Sequence, residues 1–141
     1  YDIKDFNMNG VDRAHSIQEL VSRSEIISIH VDYNDKNHHL FDKSLFSHFR
    51  DKSILINTSR GGIVDSNALI DALNSERLLG AAIDVIEDEL NYQKNSLIKY
   101  SQDNVNLIIT PHIGGNTFES FYKTEIYLAE KLSDYIKLNN E

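Results

Sequence analysis

The sequence predicts an α/β fold in which helices cover both faces of a parallel sheet. Four short runs rich in Ile, Leu and Val have the length of strands and are apolar on both faces, which is typical of buried parallel strands. Segments with helical spacing separate these runs, as expected when a crossover helix follows each strand. The predicted strands span residues 26–31, 53–57, 80–85 and 105–110.

The helical segments carry recognisable start signals. Ser16 begins the first segment, and Glu19 follows it at the capping-box spacing. Asp65 or Ser66 is the expected cap of the third segment. The predicted helices span residues 16–23, 40–49, 67–75 and 118–138, the last being long and amphipathic.

The composition limits the classes of partner. With 40% hydrophobic and 26% charged residues over 141 positions, the chain has the composition of a globular domain. The formal net charge of -8 argues against nucleic acid and anionic membranes, because both attract clustered Lys and Arg. There is no cysteine, no apolar run of about 20 residues and no signal-peptide pattern. We therefore expect a cytoplasmic location and no membrane or nucleic-acid partner.

The candidate site follows from the predicted sheet, since parallel sheets bind ligands at the carboxyl ends of their strands. The second predicted strand ends near Arg60, the third near Asp84 and the fourth near His112. A guanidinium, a carboxylate and an imidazole are therefore expected at one edge of the sheet.

Arg60 follows a strand and precedes Gly61 and Gly62, which let the backbone turn tightly and approach a ligand. Its planar guanidinium matches a carboxylate, which suits a 2-hydroxy or 2-keto acid. Taken alone, the position also fits an arginine that caps a turn or pairs with a surface acid. The surrounding pattern favours ligand binding.

His112 follows Pro111, the single proline of the chain, and precedes Ile113, Gly114 and Gly115. Proline stiffens the loop, and an imidazole can pass a proton in either direction. The alternative is a histidine that is hydrogen-bonded within a strand-to-helix loop.

An acidic run follows the third predicted strand. Glu89 lies five residues after Asp84, but Glu87, Asp88 and Glu89 are consecutive acids. An acid beside a histidine favours the imidazolium form, although acidic loops are commonly solvated. The residues alone do not single out one of the three.

The histidines away from the strand ends carry no metal signature. None has a cysteine partner or His-Glu-x-x-His spacing. We interpret them as solvated positions on or near helices, and we expect no metal site. They are His15, His38, His39 and His48.

Four segments resemble the motifs of one family. Residues 24–31, 55–65, 80–85 and 110–117 read SEIISIHV, LINTSRGGIVD, GAAIDV and TPHIGGNT. In this order and spacing they resemble the NAD-binding domain of the D-isomer-specific 2-hydroxyacid dehydrogenases. The resemblance covers most of the chain and implies a Rossmann-like, doubly wound parallel sheet.

The resemblance implies that Arg60, Glu89 and His112 are catalytic. Arg60 would bind the substrate carboxylate and polarise the C2 oxygen, and His112 would exchange a proton with that oxygen. Glu89 would pair with His112, and Glu87 is the rival for this role.

The resemblance also implies NAD as the cofactor. Asp84 would orient the nicotinamide carboxamide, and Asp2 would bind the adenosine ribose hydroxyls and disfavour a 2′-phosphate. Two turns would line the cofactor. They contribute Thr58, Ser59 and Arg60, and His112, Gly114 and Gly115.

The sequence departs from the family pattern in three places. Asp32 and Leu90 stand where the family has proline, and no Gly-x-Gly-x-x-Gly motif precedes Tyr1. We therefore expect residues 1–141 to be a partial NAD-binding domain, incomplete at its N-terminal side and lacking the first strand, phosphate loop, first helix and substrate domain. Such a piece should bind NAD poorly and be inactive alone.

The predicted function of the longer protein is hydride transfer between NAD and a D-2-hydroxyacid or 2-keto acid. The first candidate substrate is 3-phosphoglycerate, and the resemblance implies a homodimer. A non-catalytic NAD-sensing or partner-binding protein on the same scaffold is one alternative, and an inactive truncated product is another.

Overall fold

The computed structural model describes residues 1–2 and 9–138, and the chain divides into the compact units Tyr1–Thr110 and Pro111–Glu141. In the described part of the first unit, the strands are β1 (Ile26–Ile29), β2 (Ser53–Asn57), β3 (Leu78–Ile83) and β4 (Leu107–Ile109). The helices are α1 (Ile17–Arg23), α2 (Lys43–Phe46), α3 (Ser66–Asn74), α4 (Ser96–Asp103) and, in the second unit, α5 (Phe118–Leu138). Two short 3₁₀ helices span Gly61–Ile63 and Glu89–Lys94.

The strands form one parallel sheet in the order β1-β2-β3-β4, which confirms the predicted α/β fold with a Rossmann-like parallel sheet. The register aligns Ile27 with Leu55, Leu55 with Ala81, and Ala81 with Leu107. All four side chains are buried. Because strand side chains alternate between faces, this row defines the face that packs on the core.

A layer of helices covers that face. The helix α3 packs against both α2 and α4, and its Leu69 and Leu73 side chains are buried in the core. The rings of Phe46 and Phe49 pack in the same cluster with centroids 5.0 Å apart and planes inclined by 43°. Truncation of either leucine to alanine should cost about 2–5 kcal/mol, since such a site cannot close completely around the cavity.

The opposite face of the sheet is more open than predicted. Ile26 on β1 and Ile108 on β4 alternate with the buried row, and they are 61% and 64% exposed. Within the described residues of Tyr1–Thr110, helices therefore cover one face of the sheet rather than both. The helices α2, α3 and α4 lie side by side in one layer, so one face of each strand is left outside it.

The start of α1 confirms the predicted capping box. Ser16 is the N-cap, and its Oγ accepts a hydrogen bond from the Glu19 amide at 3.1 Å. The Glu19 carboxylate in turn accepts one from the His15 amide at 2.8 Å. This hydrogen bond, aided by Arg23, lowers the pKa of Glu19 below its ordinary value.

Several boundaries differ from the prediction. The strand β1 ends at Ile29 rather than Val31, and β3 begins and ends two residues earlier than predicted. The strand β4 excludes Val105, which is fully exposed before pairing with β3 begins. Apolar runs thus extend beyond the paired segments, so composition alone placed these strand ends incorrectly.

The helix α4 was not predicted. Of its side chains only Leu97 is fully buried. Its start nevertheless carries a signal, because the Asn95 side chain accepts a hydrogen bond from the Leu97 amide at 2.9 Å.

The second unit contains the long helix α5, which has the predicted bounds. None of its side chains is buried. Across the described residues, no helix combines the length and apolar character needed to cross a membrane.

Candidate functional site at the strand ends

The turn after β2 is built on a buried asparagine. Asn57 is 1% exposed, and its Oδ1 accepts a hydrogen bond from the Ser59 amide at 3.0 Å. Its Nδ2 donates to the Arg60 carbonyl oxygen at 3.1 Å. An asparagine that binds the backbone two and three residues later fixes the turn locally. The side chain of Asn57 therefore determines where Arg60 leaves the sheet.

Arg60 lies at the surface at the end of this turn. Its Nη1 donates to the Ser59 carbonyl oxygen at 2.7 Å, and its backbone is extended. The Ser59 hydroxyl donates to the carbonyl oxygen of Val31, beyond the end of β1. Thr58 is exposed beside them. The turn is thus tied to the neighbouring strand end and presents a cation to solvent.

Asp84 follows β3 and is buried, at 6% exposure. Its amide donates to the Asn57 carbonyl oxygen at 2.9 Å, and its carboxylate accepts a hydrogen bond from the Thr110 hydroxyl. The Thr110 amide donates to the Ile83 carbonyl oxygen at 2.9 Å. The structure therefore brings the turn that carries Arg60 and the predicted site residue Asp84 to the same edge of the sheet.

The loops after β2 and β3 lie against each other at Gly61. A Cβ atom on Gly61 would lie 2.0 Å from the Ile86 carbonyl carbon and 2.4 Å from the Glu87 amide nitrogen. A Cβ on Gly62 would lie 2.9 Å from the ring of Tyr33. A side chain at position 61 would therefore clash with backbone, whereas one at position 62 would displace only the tip of the Tyr33 side chain.

Glu89 begins the 3₁₀ helix Glu89–Lys94, is exposed and follows Asp88, whose φ is +53°. The side chain of Asn91 donates to both oxygens of Asp88, at 3.0 and 2.9 Å. The side chain of Asn95 donates to the Glu87 carbonyl oxygen at 2.9 Å. These contacts shape the loop despite the leucine at position 90.

Glu87 lies beside two histidines. His39 Nε2 is 3.2 Å from Glu87 Oε2, and His38 Nε2 is 3.9 Å from Glu87 Oε1. Both histidines lie in the loop between β1 and α2, and their rings stack. Together with Glu87 they bring three potential metal-ligand atoms within 4.8 Å of one another.

His112 belongs to the second unit, Pro111–Glu141. It has a φ of +54° and is exposed, as are Gly114 and Gly115. Within the same loop, the Asn116 amide donates to the Ile113 carbonyl oxygen at 3.0 Å. The role assigned to His112 therefore remains a prediction.

Asp2 is exposed, and its carbonyl oxygen accepts a hydrogen bond from Arg13 Nη2 at 3.1 Å. This contact involves the backbone of Asp2 and does not test its predicted ribose-binding role.

Two residues that organise the site were not selected from the sequence. Asn57 and Thr110 lie within the sequence motifs, but the motifs alone indicate no positioning role for either. The signal for Asn57 was a polar residue at the end of an apolar strand. No comparable signal marked the contact between Thr110 and Asp84, which are 26 residues apart.

The sequence matches the family model described as "D-isomer specific 2-hydroxyacid dehydrogenase, NAD binding domain" over residues 2–114. Among similar proteins, a D-lactate dehydrogenase of Staphylococcus aureus is 39% identical over 107 residues, which cover 70% of this chain and 32% of that protein. The Schizosaccharomyces pombe protein named "Putative D-3-phosphoglycerate dehydrogenase" is 36% identical over 133 residues, which cover 89% of this chain and 28% of that protein.

The fold is also similar to solved structures. The apo form of Rhodotorula graminis D-mandelate dehydrogenase aligns with a TM-score of 0.77 and 35% sequence identity. That alignment covers 89% of this chain and 36% of the mandelate dehydrogenase. The chain thus spans about a third of the length of the relatives it matches.

Proposed function

Because this chain belongs to the D-isomer specific 2-hydroxyacid dehydrogenase family through its NAD-binding domain, we propose that the protein transfers a hydride between NAD and a D-2-hydroxyacid or its 2-keto acid. The observation that supports this most is the turn held by Asn57, which carries Arg60 beside the strand end that bears Asp84. The activity is proposed for the full-length protein, of which this chain supplies the described strand ends.

The described strand ends fit a nicotinamide cofactor. The exposed turn of Thr58, Ser59 and Arg60 adjoins the buried Asp84 at the carboxyl edge of a parallel sheet, where such ligands bind. Thr110 positions the Asp84 carboxylate, which orients the carboxamide and so selects one face of the ring. When bound, NAD supplies or accepts the hydride.

Arg60 binds the substrate. Its guanidinium offers two parallel N–H donors to the carboxylate of the hydroxy or keto acid, and its charge polarises the C2 oxygen. The exposed position of Arg60 at the end of the Asn57 turn leaves it accessible to a small anion. Charge development on the C2 oxygen during reduction is stabilised by the same cation.

His112 donates a proton to the C2 oxygen as the keto acid is reduced, and it accepts the proton in the reverse direction. Glu89 pairs with His112 and stabilises the imidazolium form. The contact of Glu87 with His39 supports Glu89 over Glu87 in this role, because it engages Glu87 elsewhere.

Asp2 binds the adenosine ribose hydroxyls, and its charge disfavours a 2′-phosphate, so NAD is the expected cofactor rather than NADP. Among substrates, 3-phosphoglycerate is tested first, because the sequence motifs resemble that branch of the family and one similar protein carries that name. D-lactate and D-mandelate follow, since they name other similar proteins. We also propose that the protein forms a homodimer.

A turnover assay on the full-length protein tests the proposal. NADH absorbance is followed with a panel of 2-keto acids, and the same panel is run with the His112→Ala variant. Loss of general acid catalysis should lower kcat by about 10²- to 10⁴-fold. Unchanged turnover in the variant would refute the role of His112, and no turnover by the wild type with any acid would refute the activity.

A further inference from the structure

Two loops bring His38, His39 and Glu87 together, although Glu87 is 48 residues from His39. The two imidazole rings stack with centroids 3.8 Å apart and planes inclined by 23°. One potential ligand atom from each residue lies within 4.8 Å of the other two. Side-chain exposure of 34–43% leaves the group accessible from solvent.

We propose that His38, His39 and Glu87 form a binding site for a transition-metal dication such as Zn²⁺. Two imidazole nitrogens and a carboxylate oxygen are ligands that Zn²⁺ accepts, and a water molecule completes its tetrahedron. Ligand atoms around a tetrahedral zinc ion lie roughly 3.3 Å apart. His39 Nε2 and His38 Nε2 lie 3.2 and 3.9 Å from the Glu87 oxygens, close to this spacing, and the two rings must turn out of their stack so that both lone pairs point at the ion.

The other nitrogen of each imidazole already faces an oxygen. His38 Nδ1 lies 3.2 Å from the Tyr33 hydroxyl, and His39 Nδ1 lies 4.0 Å from Asp65 Oδ2. With the metal on Nε2, each Nδ1–H points toward its oxygen, which orients the ring and strengthens it as a ligand.

These outer oxygens are held by the fold itself. Asp65 is the N-cap of α3, and its Oδ1 accepts hydrogen bonds from the first amides of that helix, at 2.8 and 3.1 Å. Its Oδ2 is thereby aimed at His39. The ring of Tyr33 packs against Gly62, where a Cβ atom would meet it at 2.9 Å.

The backbone at His39 is held in a costly conformation. His39 has a φ of +52°, and its amide donates to the Gly62 carbonyl oxygen at 2.8 Å. A left-handed conformation in a residue other than glycine costs about 1–3 kcal/mol and is found preferentially at ligand sites. The strain places the His39 ring on His38 and against Glu87.

A plain ion pair between His39 and Glu87 is the competing explanation. An ion pair needs one histidine and one carboxylate, whereas a metal ion takes one ligand atom from each of the three side chains that lie together here.

Isothermal titration of the tag-free, full-length protein with ZnCl₂ tests the site, with MgCl₂ as a second probe. The wild type should bind one Zn²⁺ per chain and no Mg²⁺, which prefers oxygen ligands. His38→Gln and Glu87→Gln should each weaken zinc binding by more than about tenfold. The matched control is His48→Gln, because His48 is exposed, follows α2 and contacts Ser44 rather than the cluster.

Two further measurements separate the site from nonspecific binding. Zn²⁺ should raise the melting temperature of the wild type and of His48→Gln but not of His38→Gln, because a ligand stabilises the state that binds it. X-ray absorption at the zinc edge should show two imidazoles on the metal. Equal zinc affinity in all variants, or a spectrum with fewer than two imidazoles, would overturn the proposal. This test does not depend on the dehydrogenase activity.

Discussion

Gly61 lies so close to the backbone of Ile86 that a Cβ atom on Gly61 would come within 2.0 Å of the Ile86 carbonyl carbon. The loop after β2 and the loop after β3 thus meet with no room for a side chain. The first carries Arg60, and the second leads to Glu89. The relative position of these two residues depends on this contact.

Gly61→Ala should therefore destabilise the protein and displace one of the two loops. We expect a loss of about 1–3 kcal/mol in the free energy of unfolding, because the clash is with backbone that cannot rotate away. Urea unfolding measures this. Gly115→Ala serves as the stability control, since nothing lies within 4 Å of a Cβ atom there. Equal stabilities for the two variants would contradict the packing role of Gly61.

Asn57→Ala should lower both stability and substrate affinity. The change removes hydrogen bonds to the Ser59 amide and the Arg60 carbonyl, which should cost about 1–3 kcal/mol in a buried site. Because the turn positions Arg60, KM for the keto acid should also rise. If the role of Asn57 were purely structural, Asn57→Ala would lower stability and leave KM of the folded enzyme unchanged.

Ser53→Ala is the matched control for Asn57. Ser53 is also 1% exposed and lies on β2, but within the described chain its Oγ has no hydrogen-bond partner. Removing an unsatisfied buried hydroxyl should leave the free energy of unfolding unchanged or raise it. The changes in the free energy of unfolding caused by Asn57→Ala and Ser53→Ala should therefore differ in sign or clearly in size.

Arg60→Lys should lower kcat/KM although the charge is kept. A lysine cannot offer two parallel donors to a carboxylate, and a charge-assisted hydrogen bond contributes about 1.5–3 kcal/mol. We expect kcat/KM to fall by roughly 10- to 100-fold in steady-state assays. Arg50→Lys is the control, because Arg50 lies before the start of β2 and its Nη1 is 2.8 Å from Glu25 Oε1. Similar kinetics for both variants would argue against carboxylate binding by Arg60.

Glu89→Gln should lower kcat more than Glu87→Gln does. The proposed partner of His112 stabilises the imidazolium during proton transfer, and such assistance contributes about 10²-fold or more. Glu87 is already in contact with His39, so its loss should affect the loop rather than the proton transfer. Single-turnover rates of both variants measure the difference, and a larger fall for Glu87→Gln would reverse the assignment.

The elements that local patterns specify were predicted best. Ser53–Asn57 and Phe118–Leu138 have the predicted bounds, and Ser16 caps α1 as expected. Asp65 rather than Ser66 caps α3, a choice between neighbours that depends on backbone angles. These features rest on periodicity and capping chemistry, which act over a few residues.

The features that were missed depend on contacts between distant residues. His38 and His39 were interpreted as solvated because no short motif linked them to Glu87. The contact of Gly61 with Ile86 likewise joins two loops across neighbouring strands. The open face of the sheet was missed for a similar reason. An apolar strand can be buried on both sides, but its composition does not show which helices are present to cover it.

The hydrogen bonds that join the strand ends bear on the thermodynamics of cofactor capture. The amides of Asp84 and Thr110 donate to neighbouring strands, and the hydroxyl of Ser59 donates to Val31 just beyond the end of β1. A preorganised rim loses little conformational entropy when a ligand arrives, so more of the contact energy appears as affinity. We therefore expect a ligand at this rim to require little loop rearrangement on binding.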